Sequence, residues 1–117
     1  MTIRECYELM GSDFDMVLRR LGSEAIISKF AVKFLNDPSF SDLKSAMQDR
    51  RAEDAFRAAH TLKGVCVNLG FDRLHKVSSD LTEALRGRTF DGTEELYKLV
   101  EEEYNRTVDA LMAFGNG

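Results

Sequence analysis

Residues 60 to 70 read HTLKGVCVNLG: a histidine, a lysine three places on, a glycine four places on and a second glycine ten places on. On a helix, positions i, i+3 and i+4 share one face. The imidazole of His60, the ammonium of Lys63 and the bare Cα of Gly64 would therefore lie together. Imidazole is a nucleophile that is largely neutral near pH 7, and lysine is a mobile cation that suits a group acquiring negative charge. A glycine inside a helix costs about 0.8 to 1 kcal/mol relative to alanine, and at i+4 it leaves open the space a side chain would take beside the imidazole. The chemistry this set suits is attack of a ring nitrogen on a phosphoryl group.

Each residue alone has a plainer reading. Most exposed histidines are inert, surface lysines are solvated tips, and a helical glycine can mark a kink or a close helix crossing. Taken singly, each of these plainer readings is the commoner one. His75, in RLHKV, lacks the lysine and glycine and is expected on a polar surface. A two-histidine metal site is weak, because no Glu-x-x-His pair accompanies it. Cys6 and Cys66 show no metal or redox spacing and are expected as reduced, apolar thiols.

The element that must carry His60 is a helix from Ala52 to Gly70. Ala55, Ala58, Ala59, Leu62, Val65, Cys66 and Leu69 fall on one arc, a core face, while Phe56, Lys63, Gly64 and Val67 cluster around His60 on the opposite arc. Glu53 and Asp54 stand in its first turn, as the helix dipole favours. Upstream, Ile3, Tyr7 and Met10 mark a short helix ending near Gly11. Ser12 or Asp13 can cap a second piece carrying Phe14, Val17, Leu18 and Leu21. Ser23 caps a helix with Ile27, Phe30, Ala31 and Phe34 as its apolar stripe. Asn36, Asp37 and Pro38 form a turn, and a helix with Phe40, Leu43 and Met47 leads to the histidine helix.

Downstream, Leu74, Val77, Leu81 and Leu85 define a helix antiparallel to the histidine helix, ended by Arg86, Gly87 and Arg88. Asp91 and Glu94 have the spacing of a cap, and Tyr97, Val100, Tyr104, Val108 and Leu111 step along a last long helix. The pattern predicts an all-α fold, an antiparallel up-and-down four-helix bundle with additional short N-terminal helices.

The chain has 117 residues, 44% hydrophobic and 31% charged, with a single proline. That is the size of one domain, 1–117, and the composition of a compact helical protein. A net charge of −4 argues against nucleic acid as the main partner. No run reaches the roughly 18 to 20 apolar residues of a membrane span, and Met1 to Gly11 is too polar for a signal peptide. We expect a monomeric, cytoplasmic protein.

AHTLKG with Gly70 resembles the signature of the histidine phosphotransfer (HPt) domain. DMVLRRLGSEAIISKFAVKFLND upstream and LGFDRLHKVSSDLTEALRGR downstream look like neighbouring helices of the same family. The resemblance implies a phosphoryl carrier without kinase activity of its own. His60 would accept a phosphoryl group, through Nε2, from the aspartyl phosphate of a receiver domain and pass it to another receiver. The implied partners are response regulator receiver domains and a hybrid sensor histidine kinase. No cofactor is expected on this chain, Mg being expected in the partner receiver.

Lys63 would stabilise the phosphate, Gly64 would give the receiver access, and Phe56, Val67 and Arg86 would form the docking face. Edge packing is an equal reading of Phe56 and Val67, and a helix-terminal charge is the commoner reading of Arg86. Where some members place a glutamine near the phosphohistidine, this chain has Thr82. A competing reading of another class is a bundle that binds a receiver or kinase and regulates it without carrying phosphate. Acid-labile label on the chain separates the two.

Overall fold

The structure, a computed structural model, describes residues 1–116 and has seven α-helices among them. They are α1 Ile3–Leu9, α2 Phe14–Leu21, α3 Glu24–Lys33, α4 Ser39–Gln48, α5 Ala52–Leu69, α6 Asp72–Leu85 and α7 Glu94–Asn116, with one 3₁₀ turn, Phe34–Asn36, after α3. Helices α4, α5, α6 and α7 pack in chain order, each against the next. The connections between them are short, so neighbours run antiparallel. Phe40 of α4 closes the ring, its side chain stacked on Tyr104 of α7 with centroids 4.0 Å apart. This is the four-helix bundle expected, with α1, α2 and α3 as the additional helices.

Local signals set most boundaries. Asp13 and Ser23 cap α2 and α3, each side chain accepting a hydrogen bond from a backbone N–H three residues on. Gly70 ends α5 in the left-handed region at φ 73°. A Cβ there would lie 2.1 Å from Cγ2 of Val17, so the glycine is also what lets α2 close on the end of α5. Asp37, ahead of Pro38, is extended as that position demands.

Two expectations fail. Phe30 is 45% exposed, because α3 meets the bundle along the narrower line of Ile27, Ala31 and Phe34. The entry to α7 is Thr93, not Asp91. The Thr93 carbonyl accepts the first helical bond from Tyr97 N, and its buried hydroxyl donates to Phe90 O at 2.7 Å.

The core runs through the bundle and on to where the N-terminal helices meet it. Tyr7 and Phe71 are fully buried with rings 5.7 Å apart, and Phe34 packs edge-on to Phe71. The Tyr7 hydroxyl donates to Leu69 O at 2.7 Å, satisfying a carbonyl that the end of α5 leaves open. Arg20 does the same from α2, donating to Val67 O and Asn68 O at 2.8 and 2.7 Å. One end of the histidine helix is thus held by two elements that precede it by more than forty residues.

Candidate functional site around His60

Ala55, Ala59, Leu62 and Cys66 are buried to 0% exposure along one side of α5. Those residues fix the rotation of the helix, and His60 emerges exposed on the opposite side. Its ring lies parallel to that of Phe56, one turn earlier, with centroids 6.1 Å apart and planes 11° from parallel. That separation is within the range of offset aromatic stacking. Gly64 stands one turn later, where an added Cβ would meet nothing within 4 Å beyond its own helix. The glycine is therefore not a packing glycine at a helix crossing. Half-buried Lys63 shares this face, and among the described residues it forms no ion pair.

The end of α6 supplies cations to the same face. The Arg88 guanidinium sits over the Phe56 ring, 3.9 Å from its centroid, and that of Arg86 lies 5.4 Å from it. Arg88 is held by the carboxylate of Glu53, which also accepts from Arg57 Nε at 2.9 Å. These two guanidinium groups, Arg88 first, hold the Glu53 carboxyl below the usual carboxylate range. Arg86 donates twice to Glu83, at 3.1 and 2.8 Å. Glu83 is likewise held low, chiefly by Arg86, with Lys63 and His60 adding smaller electrostatic contributions.

The site is thus an exposed imidazole on an aromatic shelf, flanked by three cations of which two are tied to carboxylates. Spacing in the sequence brings His60, Lys63, Gly64, Phe56 and Val67 to one face, and the fold adds Arg86 to it. Phe56 is half-buried against the core, and its ring backs the imidazole. Val67 is 44% exposed.

Thr82 does not join the site: it is fully buried and its hydroxyl donates to Ser78 O at 2.7 Å. Sequence spacing does not pair Arg88 with Glu53, because their meeting spans 35 residues and depends on the turn after α6. Arg88 enters that turn at φ 59°.

His75 is half-buried, a deeper placement than the polar surface expected of it. Both thiols are buried, and burial pushes Cys6 up to about 11 and Cys66 higher still. Among the described residues no three His, Cys, Asp or Glu side chains are gathered as a metal site would need. No described helix is long and apolar enough to cross a membrane.

The family model of the Hpt domain matches residues 36–110, well over half of the chain, and the chain belongs to that family. It is a family of histidine phosphotransfer domains, carriers in phosphorelays. The match runs from the turn before α4 into α7 and so takes in the whole bundle, whereas α1, α2 and α3 lie ahead of it. Searches of curated proteins and of solved structures found no match.

Proposed function

We propose that this chain takes a phosphoryl group onto His60 from the aspartyl phosphate of one receiver domain and yields it to the aspartate of another. The observation that carries the proposal is the open approach to the ring: His60 is exposed in mid-helix, and an added Cβ at Gly64 would meet nothing within 4 Å. In the forward step the lone pair of Nε2 attacks phosphorus in line. The N–P bond forms, the bond from phosphorus to the aspartyl oxygen breaks, and the carboxylate leaves with that electron pair, while Nδ1 keeps its proton. The second transfer reverses these bond changes on a new carboxylate.

In this account Phe56 holds the plane of the imidazole, and Lys63 meets the phosphoryl oxygens. Phe56, Val67 and Arg86 form the face on which the receiver docks. The receiver contributes Mg, its own lysine and its acidic cluster, so the bundle needs little catalytic apparatus of its own and acts as a carrier without kinase activity. The donor receiver belongs to a hybrid sensor histidine kinase and the acceptor to a response regulator, with the chain itself a monomer in the cytoplasm.

The test is incubation of the purified chain with receiver domains charged by radiolabelled acetyl phosphate. Label that moves to the chain, survives alkali and is lost in acid supports phosphohistidine. A chain that binds receivers and takes no label from any of them contradicts the proposal.

A further inference from the structure

Val67, the last exposed residue of the His60 face, does not end that face. Together with Met16, Arg19 and Arg20 of α2 it lines a groove of about 480 Å³ that continues past the end of α5. Met16 is 60% exposed and Val67 44%, so two apolar side chains lie open side by side. Arg19 is exposed on the rim, with Asp13 and Asp72 lining the same groove. The floor is tied together by contacts between α2 and the α5–α6 corner. Arg20 is tied to two carbonyls of α5, Asp13 N donates to Asp72 Oδ2 at 3.2 Å, and Gly70 admits Val17 at a distance that no Cβ would allow.

We infer that α2 is part of the receiver-docking surface, with Met16 and Val67 burying an apolar side chain of the receiver and Arg19 facing a carboxylate beside it. The inference rests on the reading of His60 given above. Its support is continuity and size. Val67 is seven residues beyond His60, about 10 Å along the helix axis. A standard protein interface covers about 800 Å² on each partner, a disc of about 16 Å radius. A receiver centred on His60 therefore reaches Val67 and the groove beyond it, and exposed apolar side chains there are what a transient partner covers. Because α2 lies outside the segment that matches the family, this part of the surface belongs to the chain's own choice of receiver and not to the transfer chemistry.

The experiment measures transfer from a panel of receiver domains charged with acetyl phosphate, as a function of receiver concentration. It compares the parent chain with Met16→Glu, Arg19→Glu and, as a control on a distant exposed position, Leu99→Glu. All three sites are exposed, and circular dichroism melts check that the fold survives. For Met16→Glu and Arg19→Glu we expect the half-saturating receiver concentration to rise at least tenfold. The rate at saturation should stay within twofold of the parent, and Leu99→Glu should leave both unchanged.

Unchanged half-saturation in both α2 variants, with the parent fully active, overturns the inference and leaves the reading of His60 intact. A parent that takes no label from any receiver overturns both. A parent dimer that Met16→Glu converts to monomer in sedimentation, without change in transfer, assigns the groove to a second copy of the chain and overturns the inference as well.

Discussion

The ring of Phe56 lies parallel to the ring of His60 one helical turn away, and the guanidinium of Arg88 rests on that same phenyl ring. A side chain that stacks on a nucleophile limits the planes the nucleophile can adopt, and in-line attack requires the right one.

Phe56→Leu keeps an apolar group of similar reach but removes the shelf. Because Phe56 is only half-buried, the loss in stability should be about 1 kcal/mol. The His60 ring protons should move downfield in proton NMR as the ring current disappears. Transfer at saturating receiver should slow severalfold. Arg88→Ala should move the same resonances less and in the same direction. Unchanged His60 resonances in both variants would show that the rings do not stack in solution.

Gly64 and Gly70 stand six residues apart on one helix and should respond oppositely to alanine. At Gly64 an added Cβ meets open space, so Gly64→Ala should stabilise the bundle by about 0.5 to 1 kcal/mol through helix propensity. At Gly70 the backbone is left-handed and the Cβ would strike Val17. Gly70→Ala should lose at least the 1 to 2 kcal/mol or so of the backbone penalty, with the clash in addition. Gly64→Gln should spare the fold and sharply reduce transfer, by covering the approach to His60. Thermal melts paired with transfer rates decide all three, and a destabilised Gly64→Ala would mean that this face is packed.

Among the described residues Lys63 forms no ion pair, so its charge is available to a phosphoryl group. Lys63→Ala should leave the melting temperature nearly unchanged, since alanine is the better helix former. It should slow transfer or shorten the lifetime of the phosphorylated chain. Transfer and lifetime equal to the parent's would return Lys63 to the solvated surface.

Much of this site is local in origin, which is why it can be read from sequence. The spacing of His60, Lys63 and Gly64 and the left-handed stop at Gly70 depend on one helix, and Ser23 announces the start of α3 by its type alone. Arg88 over Phe56, the exposure of Phe30 and the burial of Thr93 depend on how elements far apart in the chain meet, and no periodicity encodes them. The groove between Met16 and Val67 belongs to this second class.

The thiols give a pH signature. Burial raises Cys6 to about 11 and Cys66 above that, so both bind their protons more tightly in the folded chain than in the unfolded one. Where the folded state holds more protons, stability falls as pH rises. Melting temperature should therefore begin to fall above about pH 8.5, where an unfolded thiol starts to ionise, and continue to fall toward pH 11. Neither thiol should react with iodoacetamide at pH 7.5 unless the chain is unfolded. Rapid alkylation of the native chain would contradict the burial of both.

Whether His60 carries the phosphoryl group is decided by label transfer to parent, His60→Gln and His75→Gln chains from the same charged receiver. His60→Gln alters an exposed side chain and should change stability by no more than about 0.5 kcal/mol. Acid-labile label is expected on the parent and on His75→Gln and none on folded His60→Gln. Label of parental intensity on His60→Gln, or its loss only in His75→Gln, would contradict that assignment.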